Sequence, residues 1–486
     1  DRALTLLPSL FRLHNSFAMV QLVFFVGVFL LFAPPTLLFG AAFPLTAAAD
    51  PGHRSDGEHT GAIAAANTAG GIVGAIAAPF LLVPLLGSQR TLLLLALLSA
   101  AIAAGLLPHM FRRVIPWTVL AGIAVAWILL PPTWILQRAE TGTGTEILEL
   151  HEGIAATAMV LRYHDARGSW RSLEVNGVNV AGDSPSLLAV QQAQGQLPLL
   201  LTHAPKTVLH IGFGSGGTCY AVSLHPVERI DIVEISPEVL RTSDRVFRAI
   251  NHGVLQDPRV HVIINDGRNY LLASKQHYDV ILSDSIHPVY SGNGALYTEE
   301  YFELCRRHLN PGGVVSMWLP LYSLDQESYL RILSAFHKVF PRTAVWHDLS
   351  TVNEFTVVTG QVAPGPLQVR WPLLDDPKLR PSLKTAGIAT PLHLASDLIL
   401  GPSATAASTS DIPPHTDDLP WVEYHAGRVL DRDASWFNNL VMLFVMRQRT
   451  NPFAQLPIPW TEVLQRRRQL LKYQERAVRQ RARASR

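Results

Sequence analysis

The chain has 486 residues, 48% of them hydrophobic and only 16% charged, with a net charge of +2. That length exceeds one ordinary domain. The near-neutral charge, with no interleaving of aromatic and basic residues, excludes a polyanion binder and sets nucleic acid aside as a partner. The mean hydropathy of +0.19 conceals a split: nearly all long uncharged runs precede Pro132, whereas the remainder has the charge density of a water-soluble domain.

In chain order, residues 1–140 read as a transmembrane segment of about four α-helical spans. The runs are Phe17–Leu45, Gly61–Gly87, Thr91–Pro108 and Val114–Pro132, to be set against a hydrocarbon core about 30 Å thick. Ala62 and Ala66, and Gly70 and Gly74, stand at small-xxx-small spacing, which predicts close packing of the second helix against neighbours. No charge lies within a span, so the segment reads as an anchor in the lipid bilayer and not as a proton or ion relay. Arg2, Arg12, Arg90 and Arg138 fall on the side of the globular half, against Arg54, Arg112 and Arg113 on the other. The positive-inside rule then makes this a multi-pass membrane protein with a cytoplasmic globular half. The first residue, Asp1, is neither a methionine nor part of a signal pattern, so further sequence is expected before it.

Residues 141–185 show short alternating runs, with Asn176 and Gly177 between apolar pairs. This predicts a small antiparallel β unit with a hairpin turn at Asn-Gly. Over 186–360, a helix near Ser186–Leu201 leads into strands alternating with helices of about ten residues. The pattern implies an α/β, doubly wound, Rossmann-like (class I methyltransferase-like) domain whose ligand binds beyond the carboxyl ends of the strands. Cys219 and Cys305 fall in predicted helices far apart and are expected to fill core space without pairing or holding a metal. Residues 361–430 read as an irregular proline-rich extension, and 431–486 as a helical basic tail suited to anionic lipid or an acidic partner.

The chemistry concentrates at the first strand-to-helix turn, "HIGFGSGGT". Gly212, Gly214, Gly216 and Gly217 leave bare backbone against which a ligand can lie, followed by the open N–H groups of a helix. Glu234 ends the second strand, where a carboxylate can grip ribose hydroxyls. Asp266, followed by Gly267, comes after the third strand, and Asp284 ends the fourth. Each acid alone is also a helix cap or turn residue. Together they suit a cationic nucleoside, a sulfonium, better than a dinucleotide pyrophosphate.

At these residues the chain resembles the spermidine synthase (polyamine aminopropyltransferase) family, and more closely its membrane-fused bacterial members. The resemblance covers about Glu146 to Gly360, and "AANTAGGIVGAIAAPFLLVPLLG", "WLPLYSL" and "HTDDLPWVEY" extend it over most of the chain. It implies decarboxylated S-adenosylmethionine as co-substrate, a small amine as acceptor, no metal, and a β unit that helps form a homo-oligomer or larger membrane assembly. By position, Gly212 to Gly217 resemble the family's glycine loop and Glu234 its ribose-binding acid. Asp266 and Gly267 resemble its adenine-side pair, and Asp284 its catalytic aspartate. Tyr297 falls in the stretch that covers the active site.

Three positions depart from the family. Ser215 replaces the aspartate of its GGGDGG loop, and His287 replaces the second acid of its DSSDP motif. "VQQAQGQ", Val190 to Gln196, replaces the segment that helps hold the amine. His287 is then a candidate replacement base, and Gln192, with Gln191 and Gln196, a neutral substrate-binding group. Asp417 and Asp418 are candidates for a lid over the pocket mouth. Two other readings stay open: an S-adenosylmethionine-dependent methyltransferase, to which Ser215 points, and a catalytically silent membrane scaffold that retains the fold.

Overall fold

The computed structural model describes residues 17–49, 56–106, 115–131, 134, 145–165, 168–284, 286–429 and 431–484. The chain divides into two compact units. One comprises Asp1–Glu140 with Glu152–Ile154, and the other Thr141–His151 with Ala155–Arg486.

The first unit is helical. α1 (Phe17–Ala49), α2 (Asp56–Ala77, continued by a π turn at Ala78–Leu82 and by Val83–Leu86), α3 (Ser88–Leu106) and α4 (Ile115–Leu129) follow one another. Of the four expected spans, two are long and apolar enough to cross a membrane among the described residues, Phe17–Thr46 and Thr60–Leu86; Ser88–Ala104 and Trp117–Leu129 are shorter. Among the described residues, a Cβ added at Gly70 or Gly74 would meet nothing within 4 Å.

The second unit opens with the expected antiparallel sheet. β1 (Thr145–Glu152), β2 (Thr157–Asp165), β3 (Gly168–Val175) and β4 (Val178–Gly182) pair in sequence order. Asn176 and Gly177 turn the β3–β4 hairpin with φ of 52° and 77°, a mirror-image turn whose twist matches the strands. α5 (Pro185–Leu201) is capped by Ser184 and leads into the large sheet.

That sheet has eight strands. β5 (Thr207–Ile211), β6 (Arg229–Glu234), β7 (Val260–Ile264), β8 (Tyr278–Ser283) and β9 (Leu309–Pro320) run parallel in the order 9-8-5-6-7. β11 (Phe355–Gln361) pairs antiparallel with β9, and β10 (Arg342–Trp346) antiparallel with β11. The helices between strands are α6 (Gly217–Ser223), α7 (Pro237–Val246), α8 (Gly267–Ala273), α9 (Glu299–Arg307) and α10 (Gln326–Val339). Alternation sends Val208, Ile232 and Leu282 to one face, with Leu199, Cys219 and Val222, and sends Leu209, Ile281 and Val315 to the other, with Phe302 and Phe336. Cys219 and Cys305 are both buried and free, as expected.

α7 ends at Val246, and the chain breaks at Phe247 (φ −102°, ψ 18°). That ring is fully buried against Ala158, Val160 and Leu173 of the small sheet, so packing overrides local helix preference. The extension read as irregular contains α11 (Arg380–Thr385), α12 (Pro391–Asp397), β12 (Leu398–Leu400) and α13 (Pro402–Thr409). β12 pairs with β10 and extends the large sheet. α14 (Trp421–His425) and α15 (Arg432–Met446) follow.

The basic tail, α16 (Trp460–Ala484), is anchored over its first half. Arg467 is buried and donates to the carbonyls of Ser396, Ala395 and Gln448, and Gln474 donates to those of Leu349 and Thr351.

Candidate active site

β5 delivers the chain to the glycine turn, and the backbone fixes its place. Gly212 N–H donates to the Val233 carbonyl of β6, and Asp284 N–H, just past β8, donates to the Ile211 carbonyl, both at 2.9 Å. Gly212 has φ 85° and lies so close to the Asp284 carbonyl that an added Cβ would overlap it. A side chain is therefore excluded there twice, by conformation and by space. Gly214 and Gly216 also have positive φ, and Gly217 opens α6 directly under Gln191.

The strand order 8-5-6-7 places Asp284, the glycine turn, Glu234 and Asp266 in a row along the carboxyl edge of the sheet. With strands ~4.8 Å apart, Asp284 and Glu234 stand about 10 Å from each other and Asp266 about 5 Å further on. Glu234 is buried; its carboxylate accepts N–H groups from Phe213 (2.9 Å) and Ser236 (3.0 Å). Burial raises its pKa above the ordinary glutamate range, and the N–H donors and the nearby His210 oppose that shift. Asp266 caps α8, accepting Asn269 N–H at 2.8 Å, so the capping role holds. Its neighbour Gly267 has no room for a Cβ against Ile211.

Asp284 is the more open acid, with about a quarter of its side chain exposed. Its Oδ2 accepts a hydrogen bond from Thr218 Oγ1 of α6 at 2.9 Å. Tyr297 is buried nearby; burial and the charge of Asp284 push its phenol pKa well up. Its hydroxyl points toward the carbonyls of Trp318 (3.3 Å) and Ile286 (3.4 Å).

Two expected residues are placed differently. His287 is buried, its Nε2 donating to the Tyr322 carbonyl at 2.9 Å and its Nδ1 facing Val289 N–H at 3.3 Å. Burial lowers its pKa to about 4. Both ring nitrogens are engaged by backbone, so neither stands open to take a proton as the replacement base expected there would. Gln192 is turned into a structural network: its Nε2 donates to the Gly217 carbonyl (2.9 Å), and its Oε1 accepts Ser382 Oγ (2.5 Å). Gln196 meets the same Ser382 and His225. Val190, from the same helix, lines a recess with Trp346, Phe355, Asp348 and Asp397.

Asp417 does not stand free at the mouth. It forms an ion pair with Arg268 of α8, whose guanidinium also donates to the Ala295 carbonyl at 2.9 Å.

Sequence reasoning missed Thr218, Arg268 and His210. Thr218 had a signal, since it directly follows the glycine turn. His210 is one polar residue in an apolar strand, and Arg268 finds its partner 149 positions away.

Residues 187–356 match the model of the spermine/spermidine synthase domain. The polyamine aminopropyltransferase of Korarchaeum cryptofilum is 30% identical over 232 residues, 46% of this chain and 70% of that protein. The polyamine aminopropyltransferase of Shigella sonnei is 33% identical over 221 residues, 43% of this chain and 76% of that protein. A spermidine synthase solved in complex with the transition-state analogue AdoDATO is 23% identical, with a TM-score of 0.39, covering 45% of this chain and 74% of the other. The chain belongs to the spermine/spermidine synthase (polyamine aminopropyltransferase) family.

Proposed function

We propose that the chain transfers an aminopropyl group from decarboxylated S-adenosylmethionine to a small amine, with Asp284 as the base. The observation that carries this reading is the asymmetry of Asp284: Thr218 holds Oδ2, and Oδ1 has no hydrogen-bond partner among the described residues. An acceptor amine arrives protonated, with a pKa near 10. Its N–H bond breaks, the proton moves to Oδ1, and the freed lone pair forms the N–C bond. The C–S bond breaks and its electron pair stays on sulfur, leaving neutral methylthioadenosine.

In this reading Glu234 grips the ribose, Asp266 and Gly267 flank the adenine, and the glycines of the turn leave room for the nucleoside. The row of acids spans about 15 Å, enough for an adenosine with its aminopropyl arm. Tyr297 and His287 close the acceptor side. Ser215 and Gln191 are uncharged and hydrogen-bonded to each other, which supports an acceptor with fewer cationic groups than a short α,ω-diamine.

The apolar helices α1 and α2 support anchoring in a bilayer, and the arginines Arg2, Arg12, Arg90 and Arg138 support a cytoplasmic enzyme half. The small antiparallel sheet is the element through which copies would assemble.

Asp284→Asn tests the proposal: turnover is expected to fall at least 10²-fold, with the melting temperature unchanged. Full turnover by this variant would sink the reading. Ser215 favours one other enzyme reading, methyl transfer from S-adenosylmethionine. A larger thermal shift with the decarboxylated nucleoside than with S-adenosylmethionine rejects it.

A further inference from the structure

We propose that His210 is a positioning residue for Asp284, completing an anchor on Oδ2 that leaves Oδ1 to face the amine; the proposal rests on Asp284 as the base. His210 is the fourth residue of β5 and has no exposed surface. Neither of its ring nitrogens has a hydrogen-bond partner among the described residues. Buried polar atoms are almost always paired, so a ring orphaned at both nitrogens in the centre of the sheet calls for a reason. Its strand neighbours are Ile232 of β6 and Leu282 of β8, an apolar setting that rewards an aliphatic side chain.

The reason lies one residue beyond β8. His210 Nε2 is 3.8 Å from Asp284 Oδ2, the oxygen that already accepts the Thr218 hydroxyl. The Asp284 backbone cannot drift, because its N–H is tied to Ile211 and its carbonyl abuts Gly212. Closing the gap to a hydrogen bond therefore needs only a side-chain movement of about 1 Å.

The acids facing the ring are Asp284 and, from β6, Glu234, whose carboxyl responds to it. From α6 comes neutral Thr218, on the same Asp284 oxygen. When the nucleoside fills the edge of the sheet and water leaves, Thr218 and His210 together pin Oδ2. The carboxylate then cannot rotate, and Oδ1 is held toward the attacking nitrogen. Orientation of this kind acts on the rate of the chemical step and not on ground-state binding.

The test uses the full chain with four variants. His210→Leu keeps the bulk and removes both nitrogens, and His210→Gln puts an amide N–H near the place of Nε2. Thr218→Val removes the companion donor, and Asp284→Asn is the reference. His210→Leu is expected to lower kcat about 10- to 100-fold while KM for both substrates and the thermal shift with methylthioadenosine stay as in the unaltered chain. His210→Gln is expected to recover most of that loss, and Thr218→Val to lose rate in the same direction. Unchanged kcat in His210→Leu overturns the proposal. Equal loss in His210→Leu and His210→Gln, with a lowered melting temperature in both, also overturns it by assigning His210 to packing. Retained turnover in Asp284→Asn overturns the base assignment instead, whatever the His210 variants show.

Discussion

Ser215 Oγ donates a 2.7 Å hydrogen bond to Gln191 Oε1, so two of the chain's departures from its family satisfy each other. The other end of Gln191 donates to the Gly182 carbonyl at 3.0 Å. The amide thus ties the end of the small sheet to the glycine turn, and both residues are buried. Ser215→Ala leaves Oε1 without its donor and is expected to cost about 1–2 kcal/mol, read as a lower urea midpoint at unchanged slope. Ser215→Asp sets a carboxylate against the same acceptor oxygen and is expected to be the less stable of the two. If Ser215→Asp matches or exceeds the unaltered chain in stability, the pairing has no structural role.

Glu234 is expected to control nucleoside affinity in a pH-dependent way. Its ionised form accepts hydrogen bonds, and burial has raised its pKa above the usual glutamate value. Affinity for methylthioadenosine should therefore fall as pH drops, beginning at a higher pH than an exposed glutamate would show. The direct effect on stability has the opposite sign. A raised carboxyl pKa means that the folded chain favours the protonated form, so this group's contribution is fullest at low pH and is lost as pH rises through the raised pKa. Glu234→Gln should bind the nucleoside about 10- to 100-fold more weakly and without that pH dependence. Calorimetric titration between pH 4.5 and 8 separates the two; an unchanged curve in Glu234→Gln rules out the ribose contact.

Much of this site is legible in the sequence because it depends on short-range pattern. The glycine turn follows an apolar strand, and Glu234 and Asp284 end strands whose alternation is plain, so their common edge follows from the parallel order. Asp266 is placed correctly by the same logic, though its carboxylate caps α8. What fails depends on long-range partners. Gln192 reads as a substrate group until Ser382, 190 positions away, takes its carbonyl. His287 reads as a base until the Tyr322 carbonyl engages it. α11, α12 and α13 are only 6 to 8 residues long, too short for a helical period to stand out. β12 has three residues and, among the described residues, pairs only with β10.

The lowered pKa of His287 makes a stability prediction. The ring stays neutral in the folded chain down to about pH 4, whereas the unfolded chain takes up a proton near 6.5. A depressed folded-state pKa stabilises above the unfolded value, and that contribution is lost as pH falls from about 6.5 to 4, to a total of about 3 kcal/mol. His225, also lowered to about 4 by burial, adds a slope in the same range. His287→Leu removes one of these two protons. Urea midpoints measured from pH 4.5 to 7.5 should fall less steeply for the variant than for the unaltered chain; parallel curves would show that His287 does not titrate on unfolding.

Arg268 of α8, at the carboxyl edge of the large sheet, is joined to the far C-terminal sequence. Its guanidinium donates to the Ala295 carbonyl and to Asp417, and Asp417 N–H donates to the Glu300 carboxylate at 2.9 Å. The same strap continues through Glu299 N–H to the His415 carbonyl (2.9 Å) and through His415 Nε2 to the Gly294 carbonyl (3.2 Å). Residues 292–300, which carry Tyr297 to the site, are thus held from both sides. The hydrogen bond from Arg268 holds the Asp417 carboxyl below its usual pKa, but about a third of that side chain is exposed. Solvent screening limits the pair itself to about 1 kcal/mol. Arg268→Ala is expected to raise KM for the amine several-fold with a smaller change in kcat, because it loosens the cover and leaves Asp284 in place. Asp417→Ala should do the same more weakly, since the Ala295 contact survives. In a double-mutant cycle the two changes should fall short of additivity by about 1 kcal/mol, and the gap should shrink as salt is raised. Strict additivity at low salt would show that the strap works through Ala295 alone.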